Sequence, residues 1–273
     1  MTNQEITNAW ILKDFIKIKD LANDHPAIVY LTSLNILQNS INDLYYSENY
    51  FPFWAKYNNF AKNRNFTYKM NTIRNKNILD NRIIFPIKDL NGLITGLRGH
   101  SIYSNSPKSM RNWSETEQKR VDIENYVKDL DIFFNHENTN YDCSYYGIEK
   151  IDFNKTVTVT NNFINTYLIE NCVSVCFYSP TCLRRCSSMF NDFILAFDGT
   201  LSDLNSIHGF NGFLEGAINM NYKILVSSEN IDIINMSKQG HTKNTIKEFI
   251  NNNIYSGVAL KELHNQYRIE TAE

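Results

Sequence analysis

Four cations, Arg82, Lys88, Arg98 and Lys108, fall on or just after the segment NRIIFPIKDLNGLITGLRGHSI, residues 81 to 102. Phosphates attract Arg and Lys, and such contacts hold a nucleic-acid strand or a nucleotide in place without reading its sequence. Ile83, Phe85 and Ile87 alternate with Arg82, Ile84, Pro86 and Lys88, the period-two pattern of a strand with one buried face. Asn91-Gly92 supplies a turn, because both residues tolerate positive φ, and the chain returns through Leu93, Ile94, Leu97 and Ile102. Gly96 and Gly99 interrupt the return strand, which marks a bulge or a place where a backbone or ligand comes close. On spacing alone, an ordinary solvated hairpin with scattered charges is the plainer reading of the same residues.

Other reactive side chains form weaker patterns. Cys172 and Cys176, then Cys182 and Cys186, are each separated by three residues, whereas zinc ribbons use Cys-x-x-Cys knuckles with longer loops between them. Core or surface thiols are expected there, without zinc and without a disulfide. The six histidines, His25, His100, His136, His208, His241 and His264, share no ligand or triad spacing. No Gly-rich phosphate loop of the Walker or Rossmann kind is present, so ATPase and dehydrogenase chemistry have no support.

With 273 residues, 42% of them hydrophobic and 13% aromatic, the chain can build a packed core in one large domain or two small ones. A formal net charge of −2 provides no global field for nucleic acid, so any DNA contact must rest on a local basic groove. No apolar run reaches the length of a membrane span, and the start MTNQEITNAW lacks the basic-then-apolar layout of a signal peptide. The expectation is a cytoplasmic protein without a membrane partner. Heavy use of Asn, Ile, Lys, Tyr and Phe is what AT-rich coding produces, so part of the asparagine content reflects drift.

The elements that would position these groups divide the chain into four stretches: a helical, aromatic-rich region 1-75, an α+β part 76-150 carrying the hairpin, an alternating β and α part 151-236, and helices over 237-273. A first helix is expected over residues 5 to 22 and a second from Asp24-His25-Pro26, with Asp24 as its cap and Ile28, Leu31 and Leu34 as its buried stripe. Tyr50, Phe53, Trp54 and Tyr57, interleaved with Lys56 and Lys62, could stack the bases of a single strand, but so many aromatics read first as core and rim. WSETEQKRVDIENYVKDLDIFF, residues 113 to 134, predicts a helix with Ser114 and Glu117 as a capping box. Beyond it, strands are predicted over 156 to 160, 173 to 178, 193 to 197 and 222 to 226, with helices over 163 to 170 and 206 to 219. Two helices broken near Ser256-Gly257 complete the tail.

The hairpin block resembles the catalytic core of bacterial-type TOPRIM primases, the enzymes that lay down RNA primers, and is most similar to the compact primases of large contractile-tailed phages. NDHPAIVYL from residue 23, NSPKSM from 105, YYGIEKI from 145, VTNNFINTYLIEN from 159 and FILAFDGT from 193 follow in the family's order. Ordered weak motifs are more specific together than any one alone. The resemblance implies an α/β fold, an α+β amino-terminal part followed by a TOPRIM-like parallel sheet and a helical tail.

It also implies roles. Arg82, Lys88, Arg98 and Lys108 match the basic groove for template and nucleotide phosphates, and His100 stands where relatives often carry Arg, a titratable group for a permanent charge. Family members gather carboxylates at two strand ends to hold Mg²⁺, which needs hard anionic oxygens. Here Asn161 and Asn165 occupy the positions of the first two acids, Asp198 remains in the second motif without its companion, and Asp232 survives in a third patch where Asn235 replaces an acid. Removing about three carboxylates forfeits most of the attraction that offsets dehydration of the ion. Asp198 and Asp232 are the residual weak metal candidates, with Mg²⁺ as the cofactor of any remaining activity. Relatives begin with a Cys-rich zinc module, and no cysteine precedes Cys143, which points away from a self-sufficient primase.

Two functional classes follow. One is a primase-related replication protein with an eroded site, a weak partner-dependent enzyme or an accessory that binds single-stranded DNA, ribonucleotides, the replicative helicase or a separate primase subunit. The other is the same scaffold taken over for a structural or host-directed interaction.

Overall fold

A computed structural model describes residues 7–36, 41–63, 79–89, 91–102, 129–133, 145–175, 180–196, 216–226 and 232–270. The protein is mixed α/β and forms two compact units, Met1–Ser144 and Tyr145–Glu273.

In the first unit the described strands run in the order β1 (Ile16–Lys17), β2 (Tyr45–Ser47), β3 (Arg82–Lys88), β4 (Ile94–Ser101) and β5 (Asp129–Phe133), every pair antiparallel. The predicted hairpin is β3 and β4, but its strands are covered on both faces: Arg82 through Ile87 and Ile94 through Ser101 are all buried. One face carries Ile84 and Leu97, which join a core of Ile11, Phe15, Tyr50, Phe53, Tyr57, Leu79 and Ile94. The aromatic stretch is therefore largely core, although Phe51 is exposed. Lys56 does not reach for bases: it pairs with Asp14, donates to the Trp10 carbonyl at 2.8 Å and lies 4.3 Å from the centre of the Trp10 ring.

The turn also differs in detail from a simple Asn-Gly hairpin. Asp89 Oδ1 accepts from the amides of Asn91 and Leu93, both at 2.9 Å, and of the two turn residues only Gly92, at φ 78°, uses the left-handed region. The Asn8 side chain secures the loop from outside, donating to the Gly92 carbonyl at 2.7 Å and accepting from Ile94 N at 2.8 Å.

Three local expectations change. The helix expected over 5 to 22 is short, Asn8–Leu12, capped by Thr7, and gives way to β1 and a 3₁₀ turn, because Ile16 and Lys17 pair with Tyr46 and Tyr45 in the sheet. The second helix, Pro26–Ser33, is capped by His25, whose Nδ1 accepts from Ala27 N at 3.1 Å, in place of Asp24, while Ile28, Leu31 and Leu34 are buried as expected. The end of the segment read as a capping-box helix is instead β5, drawn into the sheet by pairing with β4. Tertiary pairing overrides helical pattern in both sheet cases.

The second unit is built on β6 (Tyr145–Tyr146), β7 (Val157–Thr160), β8 (Cys172–Val175), β9 (Phe193–Ala196), β10 (Lys223–Leu225) and β11 (Ile254–Tyr255), in the spatial order 6-8-7-9-10-11. The four strands β8, β7, β9 and β10 are parallel, and β6 and β11 pair antiparallel at either side of them. All four residues of β7, β8 and β9 are buried, which is how strands covered on both faces read. The predicted strands and the broken helical tail, Lys243–Asn252 and Gly257–Glu270, are present with shifted ends. The helix after β7 is a single turn, Asn165–Leu168. Cys172 is buried on β8 and Cys186 on the helix Pro180–Met189.

Candidate functional site

The topology of the second unit singles out one place. The chain leaves β7 for β8 on one side, while β9 leads toward β10 on the other, so connections diverge from adjacent parallel strands β7 and β9 at their carboxyl ends. Open parallel sheets form their ligand crevice at such a switch point. Thr160 is registered with Ala196 there, so Asn161 follows the end of β7 directly and Asp198 stands two residues past the end of β9. Asp198 itself lies outside the described residues, as does Lys108.

The loop after β7 is organised by one hydroxyl. Thr160 is fully buried, and its Oγ1 accepts from Asn162 N and from the Asn165 side-chain amide, both at 3.2 Å. Asn162 Oδ1 then accepts from Ile164 N at 3.1 Å, and Asn165 N donates to the Asn162 carbonyl at 3.1 Å. Asn161 is half-buried; Asn165 is wholly buried and begins the helical turn. Ser174 on β8 is registered with Thr160, and its buried hydroxyl has no hydrogen-bond partner among the described residues. Thr160 and Ser174 escaped the sequence reading; a hydroxyl residue closing a strand just before Asn161-Asn162 was the available signal. Beside them the Tyr146 and Tyr167 hydroxyls bond to one another, Tyr146 stacks on Phe163 at 5.2 Å, and Lys150 lies 4.6 Å from the centre of the Tyr167 ring.

Magnesium is the ion the resemblance implies, and the described donors do not fit it. Among the described residues no three of His, Cys, Asp and Glu come together as a metal site. Asn165 brings no net charge, and its nitrogen is directed at Thr160. Asp232 is the cap of the helix Ile233–Lys238, its Oδ1 accepting from Asn235 N at 2.6 Å.

The candidate cations of the first unit are split by the sheet. Register sets Arg98 opposite Phe85 and His100 opposite Ile83, so these share one face, where His100 Nε2 and the Tyr30 hydroxyl share a 2.7 Å hydrogen bond. Arg82 belongs to the other face, with Nη1 donating to the Gly99 carbonyl at 3.3 Å. A Cβ on Gly99 would sit 2.4 Å from Leu79 Cδ2 and 2.9 Å from Arg82 Cδ, so the close approach anticipated at this glycine comes from neighbouring side chains. Arg82, Arg98 and His100 are 3%, 7% and 2% exposed, and Lys88, past a register shift at the strand end, is half-buried.

No protein-family model and no curated protein matches the sequence. Solved structures do. The DnaG catalytic core is similar with a TM-score of 0.64 at 13% identity, covering 92% of this chain and 80% of that one. The E. coli primase catalytic core follows at 0.62 and 12%, again over 92% and 80%. The DnaG primase catalytic domain bound to single-stranded DNA matches at 0.59 and 13%, over 92% and 78%. The fold is thus that of a bacterial-type primase catalytic core.

Proposed function

We propose that this chain is a primase-related DNA-replication protein of a phage, one that contacts single-stranded DNA or nucleotide phosphates and has lost most of the metal chemistry of its lineage. The primase-core fold supports the lineage, and one of the similar structures is described as holding single-stranded DNA. The observation that carries the loss is Asn165: at the position of an acid it is fully buried, neutral and hydrogen-bonded to Thr160. An accessory role beside the replicative helicase or a separate primase subunit follows. Asn161 and Asp198 are the remaining candidates of the former site, Asp232 keeps a structural task, and Lys88 and Lys108, with Arg82, Arg98 and His100, are the groove candidates.

Burial of Arg82, Arg98 and His100 favours a second reading, a non-catalytic scaffold in which those cations hold the sheet together and contact no phosphate. Primer synthesis on single-stranded DNA with Mg²⁺ or Mn²⁺ and four ribonucleotides, run beside equilibrium DNA binding across a salt series, separates the readings. The accessory reading expects no primers and salt-sensitive binding weakened by Lys88→Ala and Lys108→Ala. Synthesis abolished by Asp198→Ala would restore an enzyme. Absence of both synthesis and binding would leave the scaffold.

A further inference from the structure

A cavity of about 720 Å³ opens at the amino-terminal half of the parallel sheet, away from the switch point. Its floor is Thr158 of β7 and Ile194 of β9, which are registered neighbours, with Lys223 of β10 registered beside Ile194. Ile169, Ile250 and Ile254 form apolar walls. The size is that of a small-ligand site, and polar residues line it beside the four isoleucines.

Three ammonium groups, those of Lys155, Lys223 and Lys247, line the cavity, and Glu170 is the one carboxylate among its lining residues. Each lysine is held by an acid: Lys155 by Asp152 at 3.3 Å, Lys223 by Asp192 at 2.7 Å and Lys247 by Glu170 at 2.9 Å. Asp152 and Asp192 are not among the lining residues, and Asp192 sits behind two that are, accepting from Lys223 and Thr156 at 2.7 Å each. An ammonium has three donors and each gives one to its carboxylate here, which leaves donors for a second anion. Because these pairs are exposed to solvent, they hold the lysines loosely enough to share. The carboxylates stay ionised at neutral pH. The Asn154 amide and Lys155 hold Asp152 below the usual carboxylate range, and Lys247 does the same for Glu170. For Asp192, burial pushes upward, but hydrogen bonds from Lys223 and Thr156 outweigh it and the net shift is down.

We infer that this cavity is a binding site for a small phosphorylated molecule with a ring or apolar body, the phosphate on Lys155, Lys223 and Lys247 and the body on the Ile194 and Ile250 side. The site is independent of the function proposed above.

Calorimetric titration of the full chain with AMP, inorganic phosphate and adenosine as separate probes tests it, repeated on Lys155→Ala and Lys247→Ala. Those side chains are 66% and 57% exposed, so both variants should fold, and thermal melts check this. AMP should bind saturably and more tightly than either probe representing half of it, and each substitution should weaken AMP by about tenfold, the effect of one charge-assisted hydrogen bond. No saturable AMP binding, phosphate binding as tight as AMP, or binding unchanged in both variants would each overturn the assignment. Loss of AMP binding in Asn161→Ala with both lysine variants unaffected would move the ligand to the carboxyl end and overturn it as well.

Discussion

The two ends of the parallel sheet in the second unit differ in charge. Past the carboxyl end of β7 the described side chains, Thr160, Asn161, Asn162 and Asn165, are neutral, and they are tied together by hydrogen bonds to Thr160 and Asn162. At the amino end stand three lysines and three acids in ion pairs around a cavity. Parallel sheets of this kind commonly keep their chemistry at the carboxyl ends. Here the loop after β7 is closed by neutral side chains, which is possible because Asn matches Asp in size and capping geometry and lacks only the ionised oxygen.

The sharpest way to break that contrast is to place an acid in the loop. Asn165→Asp places a carboxylate where the side chain is wholly buried and removes the donor to Thr160. A loss of about 2–4 kcal/mol at neutral pH is expected in urea unfolding. Burial raises the folded-state pKa of such a group, so the loss should be small below the ordinary carboxyl range and grow as pH rises toward the raised value. Recovery of stability by Mg²⁺ in this variant would show that the carboxyl end is still a metal site.

Thr160→Val comes next. It keeps the shape and withdraws the acceptor that Asn162 N and Asn165 Nδ2 share, at a cost of about 2 kcal/mol in the same measurement. A change near zero would mean that the loop is held by packing alone.

At the other end, Asp192→Asn should cost less than about 1 kcal/mol, since Lys223 and Asp192 are 43% and 44% exposed. The folded-state pKa of Asp192 is lowered, so its contribution is present above the unfolded carboxyl pKa and disappears as pH falls through the lowered value. The difference in stability between parent and variant should therefore vanish in acid. Smallest of all is Lys155→Ala, expected to leave stability within about 0.5 kcal/mol in thermal or urea unfolding. A large loss there would make the amino end a structural clamp.

Strand positions in the second unit were readable because short β-branched or apolar runs such as Val157–Thr160 and Phe193–Ala196 are what fully covered parallel strands need. Residues 129 to 133 misled: local helix signals in the preceding sequence say nothing of β4, whose backbone supplies the pairing. The hairpin was legible as strands and turn, yet its cations suggested a wet face. Arg82 instead covers Gly99 and Arg98 shares a face with Phe85 and His100. For the candidate site, the asparagines stood out against the motif order of the primases that the chain resembles, whereas Thr160 offered only a hydroxyl at a strand end and the register of Ser174 beside it needed the sheet.

Residue identity by itself determined the balance of charge, the β-branched and apolar runs that become β7 and β9, the turn at Gly92 and the absence of an ionised oxygen at positions 161 and 165. These are properties of side chains and of backbone preference, and they need no neighbour. Tertiary structure alone decided that both faces of the hairpin are covered, that Thr160 gathers the loop after β7, and that Lys155, Lys223 and Lys247 meet around one cavity. Those residues are far apart along the chain, and only the parallel register of β7, β9 and β10 with the helix Lys243–Asn252 brings their side chains into one place.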